Sequence, residues 1–370
     1  MRVAILHDYL NQYGGAERVL EALLELFPDA DLYTLLYSEE RTRGAFRGRV
    51  TRTSFLDIPF VRRHHRAFIP LMPLASRFLS SPVRYDLVIS SSAGYAKGFR
   101  VDGSYHVCYC HSPLRYAWEY DYLKGLPFSP WPLRKAILHP IAKLIRRWDK
   151  KASERVNFFI ANSRFTAEKI KAYYGRDAEV VYPPVDTDLF HPEPVPGGRE
   201  YYLMAGRLLY YKRFDIGIGA INSLRFSLKV VGRGPEEGKL KKLVRSPYIE
   251  FIPQASDDDL RLLYSNAKAL IFPQTEDFGL VAAEALSCGT PIIAYGAGGG
   301  AEIVENRVTG LLVGEQTSAA FTRALTEFEG MKWDREHIVH RAERFSKRSF
   351  VKNISKLLDS LGVAPSTSKP

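Results

Sequence analysis

Short apolar runs alternate along the whole chain with longer stretches whose apolar residues recur at helical spacing. Val3 to Leu6, Leu32 to Tyr37, Asp86 to Ser90, His106 to Cys110, Asn157 to Asn162 and Glu179 to Tyr182 read as strands in the first half. Tyr201 to Ala205, Phe226 to Val231, Ile249 to Ile252, Ala269 to Phe272 and Pro291 to Ala294 restart the rhythm in the second. Between the first two runs, Val19, Leu20, Leu23, Leu24 and Phe27 share one helical face. Such alternation predicts helices packed on mostly parallel sheets. Residues 1–183 form one expected domain, and 200–345 another. The Pro- and Gly-rich segment 184–199 reads as a linker between them. A helix over 346–363 is expected to cross back to the first domain, ahead of a disordered tail at 364–370. Ligands of such sheets lie at the carboxyl ends of the strands, so a substrate pair is expected in a cleft between two facing domains.

The chain has 370 residues, of which 46% are apolar and 25% charged, so fibrous, low-complexity and disordered classes fall away. Only a short apolar run, Val3 to Leu6, precedes His7 and Asp8, and no stretch is long enough to span a bilayer. A cytosolic protein is expected, and the three cysteines suit a reducing compartment.

Charge adds one feature. The net charge is +11, and residues 51–150 hold 16 Lys and Arg against 6 Asp and Glu. Arg62-Arg63-His64-His65-Arg66 and the run from Arg134-Lys135 through Lys143, Arg146 and Arg147 dominate it, interleaved with Leu, Ile, Phe and Trp. Two readings stay open: a solvated helix face, or a surface for an anionic membrane and a lipid-diphosphate substrate. Nucleic acid is not expected, because no recognition motif accompanies the charge.

Three segments carry candidate chemistry. Gly14 and Gly15 stand between the first strand and the first helix, where free N–H groups favour an anion or hydroxyls, or where the glycines simply serve a tight turn. Gly206-Arg207 through Lys212 follows a strand, and an Arg and a Lys there can grip a diphosphate. Glu276 and Glu284 flank a helix start, where Phe278, Gly279 and Leu280 offer N–H groups. Along a helix axis eight residues span about 12 Å, too far for an acid/base pair on one bond but suited to two ends of one ligand. Glu284, inside an apolar run, calls for a polar partner.

Together with Cys110-His111-Ser-Pro-Leu-Arg115, these segments resemble a GT-B glycosyltransferase of family 4 across about residues 1–360; more narrowly, His7-Asp-Tyr-Leu10 with Gly14-Gly-Ala-Glu-Arg18 and His111-Ser-Pro-Leu-Arg-Tyr-Ala-Trp118 resemble the bacterial mannosyltransferases of O-antigen and exopolysaccharide synthesis. The resemblance implies an α/β fold of two doubly wound, Rossmann-like domains. It implies a retaining, metal-independent transfer of a hexose, mannose from GDP-mannose first, onto a lipid-linked oligosaccharide at the inner face of the cell membrane. It places Arg207 and Lys212 on the donor diphosphate, Glu276 on hydroxyls of the transferred sugar, Glu284 on the ribose, His111 on the donor sugar, and Gly14 and Gly15 near diphosphate and acceptor. No cofactor beyond the nucleotide sugar is implied.

Alternatives are a UDP-sugar transferase of the same fold, a sugar-nucleotide 2-epimerase, and a basic lipid- or nucleic-acid-binding protein that kept the fold. Asp186-Thr-Asp188 spells a metal-binding D-x-D but lies in the linker and reads as structural. Cys108 and Cys110 read as buried strand residues, and Asp257-Asp-Asp259 as a helix cap. Base-reading residues are expected near Gly232 to Gly234 and Pro253-Gln254. The glycine-rich Tyr295 to Glu302 leaves two readings open, a close approach to ligand or a looser turn.

Overall fold

Among the described residues the strands place seven members in one sheet and six in another, all paired in parallel. The computed structural model describes residues 1–119, 131–195 and 197–363. The first sheet contains β1 (Val3–His7), β2 (Asp31–Thr34), β3 (Val50–Thr53), β4 (Tyr85–Ser92), β5 (Gly103–Cys110), β6 (Phe158–Ala161) and β7 (Ala178–Val180). Their order is β3-β2-β1-β4-β5-β6-β7. The second contains β8 (Tyr201–Ala205), β9 (Ser227–Val231), β10 (Ile249–Ile252), β11 (Ala267–Phe272), β12 (Ile292–Tyr295) and β13 (Gly310–Val313), in the order β10-β9-β8-β11-β12-β13.

The central strands are mostly apolar because helices cover both faces of a parallel sheet. All five residues of β1 and all five of β8 are buried. The helix Gly15–Leu26 lays Val19, Leu20, Leu23 and Leu24 inward, as their spacing predicts. Each sheet reverses its strand order beside its first strand, between β1 and β4 and between β8 and β11. At such a reversal the loops leaving two neighbouring strands diverge and open a crevice for ligand.

The chain divides into two units: Met1–Tyr182 with the residues from Val351 on, and Pro183–Phe350. Residues 184–199, expected as a linker, begin as part of the second unit. Val185 is fully buried, its N–H bonds Phe345 O at 2.7 Å, and its carbonyl accepts Lys347 N–H at 3.0 Å. The last helix, Lys347–Ser360, starts in the second unit and is grouped with the first from Val351. The expected disordered tail, 364–370, lies outside the described residues.

Two strands were not foreseen. β3 is an edge strand, Val-Thr-Arg-Thr, with no buried residue, and β13 is a four-residue strand after the turn at Arg307. The run Leu32 to Tyr37 keeps its strand only to Thr34. The helix at Asp257–Asn266 is capped by Ser256 rather than by Asp257: Ser256 Oγ accepts Asp259 N–H, and Asp259 returns the bond to Ser256 N–H. Asp186 Oδ1 accepts the N–H groups of Asp188 and Leu189 at 3.2 Å, closing its own turn. Cys108, Cys110 and Cys288 are buried free thiols.

Candidate active site

In the second unit the loops leaving β8 and β11 bring the expected cation and carboxylate together. Lys212 Nζ lies 2.5 Å from Glu276 Oε1, with side-chain exposures of 11% and 17%. The loops are tied by Arg213, whose guanidinium bonds Gln316 Oε1 at 3.1 Å while Gln316 Nε2 bonds Pro273 O at 2.8 Å. Arg213 holds a left-handed backbone, φ 52°, at the start of the helix Phe214–Ile221. Arg207 differs from Lys212. It is exposed, and among the described residues its side chain makes no hydrogen bond or ion pair, so its fork is open to a diphosphate.

Glu276 precedes the helix Leu280–Ser287 instead of lying on it, so helical rise does not measure its separation from Glu284. Gly279 caps that helix with φ 102°, a conformation natural to glycine, and gives no side-chain cap. The first intrahelical bond is Ala282 N–H to Gly279 O at 2.9 Å, which leaves the N–H groups of Gly279 and Leu280 at the head of the helix. Phe278 is buried, in ring contact with Phe345 at 5.5 Å. Glu284 is 5% exposed and accepts Tyr264 Oη at 3.3 Å, the polar partner its setting requires.

The glycines after β12 pack closely on the chain itself. Gly299 N–H bonds Glu276 O at 2.8 Å, and a Cβ on Gly299 would stand 2.0 Å from Asp277 O. They press against the loop that carries Glu276. Gly232 to Gly234 likewise back the Gly206 loop: Leu208 N–H bonds Arg233 O at 2.9 Å.

In the first unit Gly14 caps the helix Gly15–Leu26 with φ −162°, an extended backbone open to any residue, so no tight turn demands it. Asp8, just beyond β1, is consumed by the chain after β4: its carboxylate accepts the N–H groups of Ala93 at 2.6 Å, Tyr95 at 2.8 Å and Ala96 at 2.5 Å. His111 follows β5. Its N–H bonds Ser92 O at 2.8 Å, and its Nε2 lies 2.8 Å from Ser91 Oγ. Ser91 in turn meets His7 Nδ1 at 3.1 Å, and His7 Nε2 lies 3.6 Å from Glu17 Oε1. The sequence singled out neither Ser91 nor Glu17 for chemistry. For Ser91 the available signal was polarity where a covered parallel strand is otherwise apolar.

The basic clusters divide by environment. Arg62 is paired with Asp57 at 2.6 Å, and Arg146 bonds Ala117 O while lying over the Trp118 ring. Burial, with Arg66 and Arg41 nearby, lowers His65 to about 4. Arg63 and Arg66 are exposed beside Phe60, itself 63% exposed, and Ile58, Phe55, Phe78 and Leu74 are exposed in the same segment. The side chains of Arg134 and Lys135 lie outside the described residues.

Residues 13–189 match the family model described as Glycosyltransferase Family 4, and residues 186–345 match that of Glycosyl transferases group 1. Each model matches a little under half of the chain, and together they follow the order of its two Rossmann-like units, the arrangement of the GT-B fold. A D-inositol 3-phosphate glycosyltransferase of Streptomyces bingchenggensis (strain BCW-1) is 32% identical over 223 residues, covering 50% of this chain and 49% of that protein. Its namesake in Mycobacterium tuberculosis (strain F11) is 30% identical over 188 residues, 45% of this chain and 39% of its own. The chain spans about half the length or less of these curated relatives. Anabaena Alr3699/HepE in complex with UDP and glucose has the same fold, with TM-score 0.69, 18% identity, and 97% of this chain and 100% of that one covered. The lipopolysaccharide outer core galactosyltransferase WaaB in its apo form gives 0.68 at 19% identity, covering 98% and 100%.

Proposed function

We propose that this protein transfers a hexose from a nucleoside diphosphate sugar, with GDP-mannose as the first reading, to a lipid-diphosphate-linked saccharide, retaining the anomeric configuration and needing no metal. The observation that carries the reading is the Lys212–Glu276 pair beside the open Arg207, on loops leaving the two strands at the reversal of the second sheet.

The chemistry follows from charge. Breaking the bond between the sugar C1 and the phosphate oxygen builds positive charge on the sugar and negative charge on the departing diphosphate. Arg207 takes the diphosphate through its fork, and Lys212 takes it as a point charge. As Lys212 turns to phosphate, the Glu276 carboxylate is released to accept sugar hydroxyls. The N–H groups of Gly279 and Leu280 add the positive end of a helix. Glu284, oriented by Tyr264, accepts the ribose hydroxyls, and His111 binds a hydroxyl of the substrate sugar. The glycine loop at Gly14 and Gly15 receives the acceptor near the diphosphate.

Glu276 is assigned to the sugar hydroxyls and Glu284 to the ribose, so neither is assigned as a nucleophile. The acceptor oxygen attacks C1 from the face the diphosphate leaves, and the leaving phosphate oxygen takes the acceptor proton. Isolation of a sugar covalently attached to either Glu would overturn this step. The exposed Phe55, Phe60 and Phe78 beside Arg63 and Arg66 support a membrane surface as the place where the lipid-linked acceptor is met, at the cytoplasmic face. Binding to anionic vesicles should weaken with salt and with Phe60→Ser; indifference to both would remove the membrane from the reading.

The test is calorimetric titration with GDP and with UDP, each in the presence of a chelator. Tight GDP and weak UDP binding supports a guanosine donor. A uridine donor is the second reading, the nucleotide held by HepE, and preference for UDP establishes it here. Binding of neither nucleotide removes the transferase reading.

A further inference from the structure

Four side chains of the first unit stand in a line that ends on His111. The parallel register sets His7 of β1 beside Ser91 of β4. From there the line runs through Ser91 Oγ to His111 Nε2 at 2.8 Å, and in the other direction from His7 Nε2 to the Glu17 carboxylate at 3.6 Å. Glu17 and His7 are each 2% exposed and Ser91 is 0% exposed. The second carboxylate oxygen of Glu17 is buried without a hydrogen-bond partner. A Cβ placed on Gly14 would stand 3.4 Å from it, so that oxygen lies against the glycine loop. Buried polar groups are costly unless they serve one another, and here two imidazoles and a hydroxyl do so, with one oxygen of the carboxylate facing the line.

The line has a direction. A carboxylate only accepts, so Glu17 favours the His7 form with hydrogen on Nε2. The first turn of the helix Gly15–Leu26 surrounds Glu17 with the positive end of the helix dipole, which suits a negative charge. In that form His7 has its lone pair on Nδ1, which accepts the Ser91 hydroxyl hydrogen at 3.1 Å. Ser91 has one hydrogen and has given it, so its oxygen accepts from His111 Nε2–H. The lone pair of His111 is thereby left on Nδ1.

We propose that Glu17, through His7 and Ser91, fixes His111 as the tautomer with hydrogen on Nε2, so that Nδ1 accepts a hydroxyl hydrogen of the substrate sugar. This rests on the reading of His111 as a substrate-binding residue. Glu17, His7 and Ser91 are positioning residues: they touch no reacting atom and act by selecting which nitrogen of His111 is an acceptor.

Imidazole nitrogen resonances of the full chain, labelled with 15N-histidine and assigned by the signal lost in His111→Gln, report the tautomer directly. The expected parent spectrum shows His111 protonated on Nε2. Glu17→Gln places an amide donor against His7 Nε2 and should reverse the line, moving the His111 hydrogen to Nδ1. Ser91→Ala should leave a mixture of tautomers, and Ser91→Thr, which keeps the hydroxyl, should restore the parent pattern. Turnover should fall about tenfold or more in Glu17→Gln and Ser91→Ala, with donor KM within about twofold of the parent. If Glu17→Gln does not fold, Ser91→Ala and Ser91→Thr carry the test. A parent His111 protonated on Nδ1, or His111 signals unchanged in the variants, overturns the proposal. The spectrum is read without turnover, so failure to bind either nucleotide would overturn the functional reading and leave this result to stand separately.

Discussion

The two sheets reverse their strand order in the same manner, yet the two reversal points are furnished with opposite chemistry. Between β1 and β4 a carboxylate, Asp8, spends its charge on three backbone N–H groups, and the rest is a line of buried polar side chains. Between β8 and β11 the charges face one another, Lys212 on Glu276, with part of each side chain exposed and Arg207 open. The shared backbone supplies two diverging loops and little else. In the first unit the loops are locked and their polarity is internal. In the second, charge is held in a form that a ligand can redistribute.

Removing the Asp8 charge tests the locked half and should have the largest effect. Asp8→Asn turns one acceptor into a donor that faces an N–H group, so unfolding free energy by urea titration should fall by about 3 kcal/mol, since single hydrogen bonds to charged groups contribute about 1.5 to 3. Nucleotide binding at the second unit should persist. Loss of affinity without loss of stability would break the contrast.

Lys212→Ala tests the half built to respond. Calorimetry should show nucleotide affinity weakened by about 1 to 3 kcal/mol, the scale of one charge-assisted hydrogen bond. Undiminished affinity would remove Lys212 from the diphosphate and leave it a partner of Glu276 alone.

Acid sharpens the contrast with the smallest effect. Burial first, then Arg66 and Arg41, lowers His65 in the first unit to about 4. The unfolded chain takes that proton near 6.5, so the stability from neutral His65 is full above 6.5 and is lost as pH falls toward 4. In the second unit, burial raises the Glu329 carboxyl, but hydrogen bonds from Lys268 and Tyr202 outweigh it and hold the group below the ordinary 4.5. Its contribution is present above 4.5 and is lost below. Thermal midpoints between pH 7 and 4.5 should therefore fall in the parent and fall less in His65→Gln; equal slopes would discard the assignment.

Most strands were legible because a sheet covered on both faces must be apolar, and runs such as Val3 to Leu6 have few other uses. β3 was not, since an edge strand with exposed Thr and Arg carries no such mark. The loops holding Arg207, Lys212, Glu276 and Glu284 were legible from their spacing and their place after strands. Their partnerships were not, because Lys212 meets Glu276 and Arg213 meets Gln316 across long separations that only the strand order closes. The line from Glu17 to His111 was hidden for the same reason: His7 and Ser91 are neighbours by register, 84 positions apart in sequence. The excess glycine after β12 was visible, but its use against the Glu276 loop required the backbone.

The last helix, which begins with the second unit and is grouped from Val351 with the first, governs how this protein can be recombined. A single crossover cannot exchange one half for a homologous half, because the first unit is assembled from both ends of the chain. A chimera that imports a new second unit must replace an internal cassette, Pro183–Phe350, between two junctions. Exchange of the second unit is thereby an insertion problem, and the terminal helix from Val351 stays with the first.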